Sequence, residues 1–172
     1  MKRQWVLASL LGMLWVFANH CNAAIAKEEI SLGEISLPNR VAAVRSMYGN
    51  PARRVKGPNG KLFYGKDVEI DLEDGIVTSI YTWADNGWRT PSGLAVGMSM
   101  DDARKRYGTP DLTEQTDRKS LYIYFVNPKY QSGGILGIVC DKKEKIRKLG
   151  IKTSAMAEFS EYGKAWAAKM LR

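Results

Sequence analysis

Four carboxylates, Asp67, Glu69, Asp71 and Glu73, alternate with Val68, Ile70 and Leu72. In an extended strand successive side chains point to opposite faces, so one side would carry the acids and the other the apolar groups. Paired carboxylates are the reagents of glycoside hydrolysis, and clustered carboxylate oxygens suit calcium. A plain strand with one solvated face has the same pattern, and a partner-facing acidic surface is a third use of it. Other reactive residue types are scarce. The single histidine, His20, and one of the two cysteines, Cys21, both lie near the N-terminus, within what reads as a leader. Beyond it, no Ser-His-Asp or Cys-His arrangement can be built, nor a zinc site of the usual His and Cys type, nor an internal disulfide. Cys140, inside Gly-Ile-Leu-Gly-Ile-Val-Cys, reads as a buried thiol acting as a small hydrophobe. These absences disfavour an enzyme. Neither a metal nor a cofactor is expected, and a carboxylate-dependent hydrolase is the last of three functional readings.

Binding chemistry is better represented. The formal net charge is +8, and basic residues cluster at Arg53, Arg54 and Lys56 and again at Lys142, Lys143, Lys145, Arg147 and Lys148. Such patches steer anionic partners. The aromatics form another group. Leu121, Ile123 and Phe125 share one side of a predicted strand, and Tyr122, Tyr124 and Val126 the other, with Tyr81, Trp83, Trp88 and Arg89 at a comparable place earlier in the chain. Tyr, Trp and Arg are favoured at protein interfaces. If helices cover only one sheet face, the other presents Tyr and Trp to a partner. The competing arrangement is that a C-terminal helix or a second subunit covers that face.

The elements that would position these groups follow from punctuation. Lys2 and Arg3, a short apolar stretch from Trp5 to Phe17, and Ala24-Ile25-Ala26 as a cleavage site read as a signal peptide over residues 1–26. This places the protein in the periplasm or outside the cell. A retained anchor and lipidation at Cys21 are the alternatives, although Asn19 and His20 do not resemble a lipobox. Then a pattern recurs. Val41-x-x-Val44-x-x-x-Tyr48-Gly49-Asn50-Pro51 returns as Met100-x-x-Ala103-x-x-x-Tyr107-Gly108-Thr109-Pro110. Each copy predicts a helix stopped by Gly and Pro and followed by strands. The strands fall near 52–57, 61–73, 76–83, 111–116, 120–126, 134–141 and 145–153, with Asn59-Gly60 and Asp74-Gly75 as hairpin turns. Ser99 and Asp102 form an approximate capping box. Residues 27–34 read as a polar approach.

The predicted fold class is α+β: two tandem helix-plus-antiparallel-sheet modules sharing one sheet, with helices on one face, plus a C-terminal helix. The modules span 27–83 and 94–153, joined by a connector over 84–93. The helix covers 154–172 and carries Met156, Phe159, Trp166 and Met170 on one face.

The unit Gly97-Met98-Ser99-x-x-Asp102-x-x-x-x-Tyr107-Gly108-x-Pro110, with strands closing on Val77-x-x-Ile80 or Ile146-x-x-Leu149, resembles the small modules of the BamE/SmpA/OmlA outer-membrane assembly lipoproteins. It is also similar to the tandem modules of β-lactamase inhibitor proteins. The chain departs from both, lacking a lipobox at Cys21 and the paired cysteines of the inhibitors, and so reads as a separate exported branch. The resemblance implies a shared sheet whose concave face binds a protein. The leading expectation is thus a non-enzymatic protein-binding module of the cell envelope, using Trp83, Trp88, Arg89, Tyr122 and Tyr124. The alternative is an anionic lipid or cell-wall polymer binder using Arg53, Arg54, Lys142, Lys143 and Lys145. The exported compartment makes nucleic acid an unsuitable partner.

Overall fold

The computed structural model describes residues 24–127, 129, 132–153 and 162–172. The expected leader up to residue 23 and the first part of the expected C-terminal helix, with Met156 and Phe159, lie outside the described residues. A 3-10 turn at Lys27–Glu29 leads to a small hairpin, β1 (Ser31–Leu32) and β2 (Ile35–Ser36), then β3 (Asn39–Arg40) and helix α1 (Val41–Tyr48). Strands β4 (Arg53–Val55), β5 (Lys61–Tyr64), β6 (Val68–Glu73) and β7 (Ile76–Thr82) precede helix α2 (Met100–Tyr107). Strands β8 (Leu112–Gln115), β9 (Lys119–Asn127), β10 (Ser132–Asp141) and β11 (Ile146–Lys152) and helix α3 (Tyr162–Leu171) follow among the described residues.

The architecture corrects the expected fold class. It is a single nine-stranded antiparallel sheet in the order β4-β5-β6-β7-β11-β10-β9-β8, with β3 added beside β7, and not two helix-plus-sheet modules. Two physical facts decide this. Helices α1 and α2 have eight residues each and bury only Val44 in the first and Met100, Ala103 and Tyr107 in the second. That is too little apolar surface to found a core per helix. Meanwhile β7 and β11 pair directly, Tyr81 opposite Gly150 and Ile80 opposite Ile151, so one apolar layer runs unbroken from Leu62 and Ile70 through Ile80 and Ile151 to Leu136 and Tyr124. Helices α1 and α2 join that layer, whereas Trp166, Ala167 and Met170 of α3 pack on the other side with Tyr81, Leu121, Ile123, Phe125 and Val139.

Local chemistry explains the elements. Val68, Ile70 and Leu72 of β6 are buried while the intervening acids are not. Residues 121–125 of β9 are all buried because both faces of that strand are covered. Asp74 and Gly75 both have positive φ (48° and 80°), the backbone of a tight hairpin turn whose twist matches the strands. Ser99 and Asp102 close a full capping box on α2, with the Asp102 N–H donating to Ser99 Oγ at 3.2 Å and the Ser99 N–H to Asp102 Oδ2 at 3.1 Å.

The 27–34 segment departs from its expected polar role. Ile30 and Leu32, with Ile35 just beyond, are core residues, and β1 lies against β11. Glu29 fastens this segment: Tyr107 Oη donates to its Oε2 at 2.6 Å and Ser92 Oγ to its Oε1 at 2.5 Å.

Candidate functional site

The acidic strand is the first site to resolve. Glu69 accepts from Lys61 Nζ at 2.6 Å and lies 3.0 Å from Lys169 Nζ. Asp71 lies 2.6 Å from Lys169 and 3.3 Å from Lys61, and also accepts from Tyr81 Oη at 3.1 Å. Burial pushes the Glu69 carboxyl up, but hydrogen bonds and charge from the two lysines outweigh it and hold the group below its ordinary range. A glycosidase acid needs the opposite shift. Two of the carboxylates thus bind α3 to the sheet through Lys169, while Asp67 and Glu73 stand at the strand's ends.

The aromatic residues are divided in a way that alternation alone did not reveal. Tyr122 and Tyr124, expected on an uncovered face, are 6% and 0% exposed. They lie beneath α2, where Tyr122 Oη donates to Glu144 Oε1 at 2.8 Å and Tyr124 Oη to the Gly108 carbonyl at 3.1 Å. The other face of β9, with Leu121, Ile123 and Phe125, is covered by α3. Neither face of β9 therefore offers tyrosines to a partner. Helix α3 reaches the sheet because Gly137 and Gly150 are cross-strand partners on β10 and β11. A Cβ on Gly137 would strike the Trp166 ring, and one on Gly150 would lie 2.5 Å from the Met170 sulfur. Glycines inside strands are a signal of close approach, and this pair was available in the sequence.

The basic hairpins do not converge. Arg53 and Arg54 lie on edge strand β4, Arg53 with its guanidinium 3.6 Å above the Phe63 ring. Lys142, Lys143 and Lys145 lie on or beside the turn between β10 and β11, where Asp141 Oδ1 accepts from the Lys143 and Lys145 N–H groups at 2.8 and 3.1 Å. Strands β5, β6 and β7 stand between the two groups.

The connector does gather expected residues. Trp88 is buried, but Tyr48 at the end of α1 stacks on it, with ring centroids 4.7 Å apart and planes at 25°. Tyr48 Oη donates to the Gly33 carbonyl in the β1–β2 turn, and the Gly33 N–H donates to the Arg89 carbonyl at 3.1 Å. A groove of about 830 Å³ opens here, lined by Gly33, Glu34, Met47, Tyr48 and Arg89 among others. Met47 is 47% exposed and Tyr48 36%. Arg89, itself exposed, also borders a neighbouring cleft of about 580 Å³ with Trp83 and Lys145. Trp83, Arg89 and Lys145 are thus brought together, Trp88 backs the groove, and Tyr122 and Tyr124 belong to the core. Met47 carries no mark in the sequence, and the helical spacing places Tyr48 with Val41 and Val44 without showing that it reaches a groove. A helix ending at Gly49 after only eight residues leaves its last turn at the rim.

No protein-family profile matches the chain, and no curated protein does. Among solved structures, a cysteine-rich secretory protein from Staphylococcus aureus superposes with a TM-score of 0.54 at 12% identity, over 77% of this chain and 49% of that one. An extracellular protein containing an SCP domain from Bacillus anthracis gives 0.48 at 9% identity, over 73% and 46%. A DUF4309 family protein from Bacillus subtilis gives 0.45 at 16%, over 67% and 79%. The chain thus spans about half the length of the first two. At such identity the first match speaks to the fold, the large antiparallel sheet. These structures are of neither the BamE nor the β-lactamase inhibitor type.

Proposed function

We propose that the chain is an exported, non-enzymatic module that binds a protein through the groove between the β1–β2 turn, the end of α1 and the connector. The observation that carries this reading is the Tyr48–Trp88 stack with exposed Met47 and Arg89 beside it. Interface energy concentrates in Trp, Tyr and Arg held rigidly in a pocket. Tyr48 is held at its ring by Trp88 and at its hydroxyl by Gly33, so little side-chain freedom remains to be lost on binding. Export rests on the basic and apolar N-terminal pattern, and accords with the secretory description of the similar Staphylococcus protein.

The test is capture from the native envelope at low and high salt, followed by affinity measurement for the protein retained. Contacts built on buried aromatics survive salt that screens exposed charge beyond about 8 Å. Tyr48→Ala and Arg89→Ala should each cost at least about 2 kcal/mol, close to 30-fold in Kd. A complex that dissolves at high salt, or one indifferent to both variants, contradicts the proposal.

A further inference from the structure

We infer that the cleft between α3 and the sheet is a binding site for a phosphoryl oxyanion. The cleft measures about 750 Å³ and shares no lining residue with the Tyr48 groove. Its cations come from four elements and the residue after α3: Lys61 of β5, Lys119 of β9, Arg147 and Lys148 of β11, Lys169 of α3 and Arg172. Tyr81, Trp83, Val139 and Met170 supply the apolar wall, and Glu69 is the one acid among the described residues that lines it.

The charges do not balance. Lys61 and Lys169 take up Glu69 and Asp71, and Arg147 takes up Asp141 at 2.7 Å. Lys119 and Lys148 form no salt bridge with a carboxylate side chain among the described residues. Instead they cap the open end of α3. Lys148 Nζ donates to the Lys169 and Met170 carbonyls at 2.9 and 3.1 Å. Lys119 Nζ donates to the Leu171 and Arg172 main-chain oxygens at 2.9 and 3.2 Å. The last carbonyls of a helix lack internal partners and carry partial negative charge, which fixes both ammonium groups in place. Each ammonium has three donors, and the carbonyls use two. One donor per lysine remains for a ligand, and compact lysine charges suit phosphate.

Electrostatics agree with this geometry. Burial, then repulsion from Lys119 and Lys169, lowers Lys148 to about 8, and Glu69 offsets this only weakly. Lys61, Arg147 and Arg172 line the same cleft, together with Tyr81, which donates to Asp71, and Trp83, whose ring centroid lies 5.8 Å from the Lys148 Nζ. An added dianion would restore the Lys148 charge. The phosphoryl group could belong to a soluble ester or to a lipid headgroup.

The experiment is calorimetric titration of the full chain with glycerol 3-phosphate at pH 8 in buffers of differing ionisation enthalpy. A parallel arm uses vesicles of phosphatidylglycerol, with phosphatidylcholine as control. A phosphate monoester is already a dianion there, its second pKa being about 6, so a change in protonation reports the protein. The expected result is saturable binding with proton uptake at pH 8 and affinity that falls from pH 8 to 9.5. Lys148→Met should remove the uptake and weaken binding at least tenfold, and Lys119→Gln should weaken it comparably. The double variant Lys142→Met/Lys143→Met, outside the cleft, should bind as the wild type does. Binding of the ester alone names a soluble source, and binding of phosphatidylglycerol vesicles alone names a headgroup. The inference is overturned if neither binds, if binding ignores Lys148 and Lys119, or if the turn variant weakens it equally.

Discussion

Gly137 and Trp166 should behave as one unit, because they occupy the same space. Trp166 is 4% exposed and lies against β10 where Gly137 has no side chain. Trp166→Ala removes a large ring from the layer containing Tyr81, Leu121, Phe125 and Met170, a change that costs about 3–5 kcal/mol. Gly137→Ala alone drives a Cβ into the ring and should cost about 1–3 kcal/mol by overpacking. No positive φ is needed at Gly137, so alanine is tolerated by the backbone. In the Trp166→Ala background the new methyl enters vacated space and also lowers the entropy of the unfolded chain. The double variant should therefore cost about 4 kcal/mol, where independent sites would add to about 6. Urea unfolding of the four proteins measures this directly. Strict additivity, or a Trp166→Ala cost below about 1 kcal/mol, would refute the docking of α3 on this face.

Three further outcomes follow from the same structure. Cys140 is fully buried, and burial pushes its thiol up to about 12, so an aromatic disulfide reagent at pH 8 should label it only at the rate of unfolding. Ser99→Ala opens the capping box of α2 and should cost about 1 kcal/mol by thermal or urea melts. Glu144 is held down to about 2, chiefly by hydrogen bonds from Arg104 and then Tyr122. A carboxyl lowered by folding contributes stability above its unfolded value near 4.5, and that contribution is lost as pH falls towards 2. Glu144→Gln should flatten this acid limb, and a limb of unchanged steepness would assign it to other carboxylates.

Local signals in the sequence were readable, and long-range pairing was not. Asp74-Gly75, the Ser99–Asp102 box and the alternation along β6 each depend on residues close in the chain, and each took the form its chemistry dictates. The pairing of β7 with β11 joins residues about seventy positions apart and has no local mark, so two helix-and-strand patterns suggested two modules sharing a sheet, where the apolar layer is continuous and the helices are short. In β9 both alternating sets are apolar or aromatic. Periodicity shows that Tyr122 and Tyr124 share a side, but not that α2 covers it. The core role of Ile30, Leu32 and Ile35 was hidden by the Ser, Gly and Glu between them. Gly137 and Gly150 were visible, yet their meaning required the register that makes them neighbours.

The protein-binding groove is tested most directly by hydrogen–deuterium exchange of the chain saturated with the captured protein. Protection is predicted over 31–34, 47–49 and 87–93, the segments that line the groove, with β4 and the α3 face unchanged. Protection confined to β4 or the α3 cleft, with the groove exchanging as in the free chain, would contradict the account.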